Sequence, residues 1–200
     1  MLTSPPDRPR LRAKYERRRE QVIDSAAEAF AARGYHHVSM NDLMDATGLT
    51  SGGLYHYIGT KDELLYCIFQ RISSATMTEI RAVADGPGTG TEILRDVVVA
   101  WIKQVRRFHA HHLTTVQERP SMEQGPFGAE VLAWRQEFRD VLDEILDRVR
   151  AENRLRVEDH RLAVATLQGM VNGAALRAHE WLAHLTPEQI GDAICRLMTD

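Results

Sequence analysis

The chain has 200 residues, 44% of them hydrophobic and 26% charged, with a formal net charge of −3. That is ordinary for a soluble globular protein with room for a sizeable core, and it argues against general coating of nucleic acid. There is no run of about 18 apolar residues to cross a membrane, and the N-terminus has no apolar stretch behind its basic residues to act as a secretory signal. The two cysteines, Cys67 and Cys195, lie far apart inside helical patterns and read as reduced thiols of a cytoplasmic protein.

Charge is unevenly placed. Arg8, Arg10, Arg12, Lys14, Arg17, Arg18 and Arg19 crowd the start against a single acid, Glu16. A basic arm on an otherwise acidic protein is an electrostatic footprint for phosphate, or else a solvated tail. Residues 1–10, with Pro5, Pro6 and Pro9, are expected to be mobile. A first helix is expected over residues 11–33, its apolar face made by Val22, Ile23, Ala26, Ala27 and Phe30. Gly34 ends it as a Schellman stop that lets Tyr35 fold onto Phe30.

A second helix begins at Ser39, with Asp42 placed for a capping box, Val38 and Leu43 for a hydrophobic staple, and Gly48 as its stop. Thr50 then caps a short third helix over residues 51–57. Leu54 and Ile58 hold it inward, leaving Ser51, Gly52, Gly53, His56 and Tyr57 toward solvent and Tyr55 at the edge. Two adjacent glycines in a first helical turn cost about 1 kcal/mol each relative to alanine. They suit a helix whose N-terminal end lies close against DNA, or else a loop. Thr60 and Glu63 form a capping box for a fourth helix, striped by Leu64, Leu65, Ile68, Phe69 and Ile72. Lys61 in its first turn, beside unbonded backbone amides, makes a phosphate-sized anion site.

Residues 84–91, rich in Gly and Pro, read as a joint. Beyond it helices are expected over 92–109, 110–119 (stopped by Pro120), 129–152, 159–184 and 187 to the end, with 121–128 a loop. No segment alternates like a strand. The fold class is therefore all-α, about nine helices. His109, His111 and His112 have no carboxylate or thiol at ligand spacing, and His109 and His112 share a helical face that His111 does not. No phosphate loop, nucleophile elbow or metalloprotease motif is present, so neither metal, cofactor nor catalytic residue is expected.

Residues 17–70 resemble the DNA-binding domain of the TetR/AcrR family of bacterial transcriptional regulators. The likeness rests on Ala26-Ala27, Phe30, Gly34-Tyr35, Ser39, Ala46, Gly48, the run from Gly53 to Tyr57, and Lys61 with Glu63-Leu64. Ile58 stands where phenylalanine is usual, and Tyr57 where histidine is common. The resemblance implies a helix-turn-helix DNA-binding domain over residues 11–72 (motif about 39–58) and a ligand-binding and dimerisation domain over 73–200. Double-stranded operator DNA would meet Ser39, Thr50, Ser51, Gly52, Gly53, Tyr55, His56, Tyr57 and Lys61.

The resemblance also implies a homodimer built on the last two helices, with Gly169, Gly173, Leu176, Trp181 and Ile194 at the interface. Independently, the 159–184 segment is apolar over more than one face, and Gly169 and Gly173, four apart, admit a close helix; packing within one protomer is the other explanation. Finally, it implies a cavity for a small hydrophobic effector, with Trp101, Phe108, His112, Trp134, Phe138 and Asn172 as lining residues or else ordinary core. The C-terminal part is faintly similar to regulators that sense acyl-CoA thioesters. A ligand-released repressor is the expected function. A DNA-bound protein that recruits a protein partner, and an all-α enzyme using the same cavity, are the alternatives.

Overall fold

A computed structural model of the chain describes residues 8–176 and 182–200. All the regular elements among them are helical. They are α1 (Pro9–Arg33), a 3-10 turn (Tyr35–His37), α2 (Met40–Thr47), α3 (Ser51–Ile58), α4 (Lys61–Ala84), α5 (Gly90–Arg107), α6 (His109–Gln117), α7 (Arg119–Gln124), α8 (Gly128–Ala151), α9 (His160–Leu176) and α10 (Pro187–Met198). One isolated antiparallel bridge pairs Leu155 with Thr199.

The capping chemistry legible in the sequence is present. Ser39 with Asp42 and Thr186 with Gln189 form reciprocal capping boxes, and a further one, Thr89 with Glu92, opens α5. Asp159 accepts from the Leu162 amide at the start of α9. Gly48 sits at φ 66°, in the left-handed region that only glycine enters freely.

Four expectations change. The first helix begins at Pro9, because proline in the first helical position is pre-shaped for it, so Arg10 is helical rather than part of a mobile arm. Gly34 leaves α1 at φ 81°, ψ 142°, a positive-φ exit outside the Schellman geometry, although Tyr35 still lies edge-on to Phe30 at 5.2 Å. Pro120 opens α7 instead of closing α6, which turns part of the expected 121–128 loop into helix. In the last third, residues 182–184 form a turn, so the helix expected to reach 184 stops short of it.

The chain forms two compact units. The first comprises the residues up to Ile72 together with Ala110–Val131; the second comprises Ser73–His109 and Leu132–Asp200. Segment 110–131 packs on the N-terminal helices. The Thr114 hydroxyl donates to the Ala27 carbonyl at 3.2 Å, and the Tyr35 amide donates to Glu118 at 3.2 Å. The core of the second unit is Ile93, Leu94, Val97, Val98, Ile102, Leu142, Ile145, Leu146, Val149, Leu167 and Val171, all buried. Helices α5 and α10 approach so closely at Gly191 that a Cβ there would lie 2.5 Å from Val99 Cγ2.

Candidate nucleic-acid interface

Helix α3 carries two buried side chains a turn apart, Leu54 and Ile58, both at 0% exposure, and packs against α1 and α2. The periodicity that buries those two turns the other positions outward. Ser39, Thr50, Ser51, Gly52, Tyr55 and His56 are exposed, while Gly53, Tyr57 and Lys61 are half-buried. The Thr50 hydroxyl accepts from the Gly53 amide and fixes where the helix starts. Around Gly52 there is open space: a Cβ would meet nothing within 4 Å.

Several of these side chains also serve the local fold. Ser39 is engaged by Asp42, whose carboxyl is held far below the ordinary range by the Ser39 hydroxyl and amide and by Arg33. His56 and Tyr57 pack around Tyr15 of α1, with ring centroids 5.3 and 5.0 Å from it. Lys61 places its ammonium 4.2 Å from the centre of the Tyr35 ring, a cation–π contact. Burial lowers its pKa, against an upward pull from Asp62, Glu118 and Asp42. The Tyr35 hydroxyl in turn donates to Asp62 at 2.6 Å, and burial followed by that bond raises its pKa.

At the start of α4 the Thr60 amide donates to Glu63 and the Glu63 amide to the Thr60 hydroxyl. Gly59, which the sequence did not single out, has φ 68° between α3 and α4. At that positive φ an L side chain is strained, so the α3–α4 corner favours glycine. Its signal was a lone glycine one residue before a capping box.

In the second unit three of the six expected lining residues come together. Trp101 meets Phe138 edge-on at 4.8 Å, and Trp134 stacks on Phe138 at 5.1 Å. His112 belongs to the first unit. Asn172 Oδ1 on α9 and Gln104 Oε1 on α5, the latter missed by sequence, are buried acceptors with no hydrogen-bond donor among the described residues. Gln104 stands out only as a polar residue inside an apolar helical stripe. Among the described residues no three His, Cys, Asp or Glu side chains gather to hold a metal. Also among them, no helix is long and apolar enough to cross a membrane.

Of the expected dimer residues, Gly169 and Gly173 are exposed on α9 with open space where a side chain would be, and Leu176 is half-buried. Ile194 is buried in the core of the second unit at 5% exposure, on an α10 face that packs against α5. Leu197, 64% exposed, and Leu162 on α9, 57% exposed, are bare apolar residues. Trp181 lies outside the described residues.

A capped two-helix turn with an outward, glycine-opened second helix, followed by a larger all-helical unit, is the architecture of helix-turn-helix regulators. Residues 22–66 match the model for bacterial regulatory proteins of the tetR family, and residues 87–200 match that for the tetracyclin repressor-like C-terminal domain. The chain belongs to the TetR family.

Among curated relatives, the transcriptional repressor KstR2 of Mycobacterium tuberculosis is 26% identical over 101 residues, 50% of each chain. The transcriptional activator FasR of Mycolicibacterium smegmatis is 29% identical over 86 residues, 43% of this chain and 39% of that one. The matches to the first of these relatives thus span about half of their length. Among solved structures, KstR2 of M. tuberculosis superposes with a TM-score of 0.81 at 21% identity, covering 92% of this chain and 95% of that one. AibR, in complex with isovaleryl coenzyme A and operator DNA, has a TM-score of 0.76 at 24% identity, covering 90% and 97%. At such identities these likenesses speak for the fold.

Proposed function

We propose that the protein is a dimeric, ligand-responsive DNA-binding transcriptional regulator, a repressor released from a palindromic operator by a small hydrophobic effector. The observation that carries the reading is the exposed N-terminal half of α3. Leu54 and Ile58 bury its inner side, and it has open space at Gly52 where a phosphate backbone or base edge can approach. Ser51, Gly52, Gly53, His56 and Tyr57 meet bases or phosphates. Ser39, Thr50, Tyr55 and Lys61 meet the backbone, Lys61 with the amides at the start of α4. Thr50 and Ser39 do so while also capping their helices.

The effector binds in the second unit. The Trp101–Phe138–Trp134 cluster supplies apolar contact there, and the amide oxygens of Gln104 and Asn172 accept from its polar end. An acyl-CoA thioester has that chemistry, an apolar acyl group and amide donors in its pantetheine arm; the AibR complex with isovaleryl coenzyme A makes that compound the first to try. The effector acts only to the extent that it binds the DNA-incompetent state more tightly.

Selection from a library of randomised duplexes tests the reading. The protein should retain a palindrome, and a short-chain acyl-CoA should release it. Recovery of no sequence preference would sink the DNA-binding reading. Lys61→Ala should weaken binding to selected and shuffled duplexes alike, with a salt dependence shallower by about one ion. A relative named as an activator favours, as second reading, a DNA-bound protein that recruits a protein partner. Operator binding indifferent to every acyl-CoA tried, with capture of a polymerase subunit, would support it.

A further inference from the structure

The basic stretch from Arg8 to Arg19 looks uniform in sequence, but the structure divides it. Arg18 and Arg19 turn inward and are half-buried. Arg18 Nη2 donates at 2.9 Å to the carbonyl of Thr47, the last residue of α2. Arg19 Nε donates at 3.1 Å to the carbonyl of Tyr57, next to last in α3, and its Nη2 donates at 2.8 Å to Cys67 Sγ on α4. One turn earlier, the Tyr15 hydroxyl donates at 3.2 Å to the carbonyl of His56.

Helices α2 and α3 have eight residues each, so half of their carbonyls have no partner within the helix. Their C-termini also carry the negative end of the helix dipole. The glycines that follow them shape the turns, and their amides bond the carbonyls of Met44 and Tyr55, not those of Thr47, His56 and Tyr57. The donors come from two consecutive residues of α1, so both C-termini are referenced to a single step along one helix. The planar fork of Arg19 holds Tyr57 and Cys67 together, which a lysine, with one nitrogen, cannot reproduce.

We infer that Arg18 and Arg19, with Tyr15, are positioning residues for α3: they hold the C-termini of α2 and α3 and so set the recognition helix's direction, and they are not phosphate contacts. This rests on the DNA-binding function proposed above. Contacts to base edges demand that α3 be aimed, whereas phosphate contacts tolerate small tilts. Loosening the clamp therefore removes sequence preference first and general affinity last.

The test uses the full chain with two duplexes: the one the native protein selects from a randomised library, and a shuffled duplex of equal composition. In Arg19→Gln, affinity for the selected duplex should fall by about tenfold or more, while affinity for the shuffled one and its salt slope stay as they were. Hydrogen exchange at residues 51–58, measured without DNA, should speed up by about tenfold or more relative to the rest of the first unit. Arg19→Lys keeps the charge at the end of α3 but reaches one acceptor, and should lose selectivity to an intermediate degree. Equal losses on both duplexes with a salt slope smaller by about one would make Arg19 a phosphate contact and overturn the inference. So would unchanged exchange and selectivity. If Arg19→Gln does not fold, full selectivity in Arg19→Lys overturns it. If the native protein selects no duplex, the DNA-binding reading is what fails, and the exchange measurement still decides whether these arginines hold α3.

Discussion

His111 shows how far a residue's surroundings outweigh its type. In sequence it is one of three histidines that invite a metal. In the structure it is buried at 5% exposure, 3.1 Å from Asp24, which also receives Arg71 at 2.8 Å. Burial is the largest influence and pushes its pKa down to about 4; Asp24 pulls it up, and Arg71 adds to the fall. The folded state thus binds its proton less readily than the unfolded chain, where histidine titrates near 6.5. Stability should be fully present above pH about 6.5 and should decline as pH falls toward about 4. His111→Asn should flatten that limb in denaturant titrations across the range. An identical decline in the variant would assign the proton uptake to another group.

At the scale of the element, two helical glycines differ in what a methyl group would meet. Gly52 faces open space in α3. Gly52→Ala should therefore stabilise the protein by up to about 1 kcal/mol. It should also weaken DNA binding, because the added methyl stands where a backbone or base must approach. Calorimetry and duplex binding measured together check this. A gain in both would show that DNA keeps clear of Gly52. Gly191 is the opposite case, with Val99 only 2.5 Å from the position a Cβ would take. Gly191→Ala should destabilise the second unit by roughly 1–3 kcal/mol through overpacking. Adding Val99→Ala should relieve the clash, so the double variant should lose less than the two single losses combined.

For the whole molecule the open question is assembly. Helices α9 and α10 leave Leu162, Gly169, Gly173 and Leu197 bare. A second copy of the chain would cover them and bring two recognition helices to one palindrome. Gly173→Glu puts a charge into that surface at a site with room for it within the protomer. Helical content should persist, while sedimentation should shift from dimer to monomer and operator affinity should drop. An unchanged dimer would place the interface elsewhere.

Much of the first unit was legible in the sequence because its signals are local. Ser39 with Asp42, Thr50, Gly48 and Thr60 with Glu63 act within four residues, so spacing alone located α2, α3 and the start of α4. The outward face of α3 followed from placing Leu54 and Ile58 inside. What the sequence could not tell depends on which distant chain segment comes near. The Arg18 and Arg19 guanidinium groups read as a phosphate footprint until the carbonyls of Thr47 and Tyr57, 29 and 38 residues away, were seen to take them. Nothing local in segment 110–131 signals that Thr114 and Glu118 bond to α1 and the turn that follows it. Ile194 and Leu197 are equally apolar and three apart. Only the packing of α10 against α5 decided that the first is core and the second is left bare. Local backbone chemistry, carried by near neighbours, was written in the sequence; the destination of long side chains and of each helix face was decided by the tertiary fold.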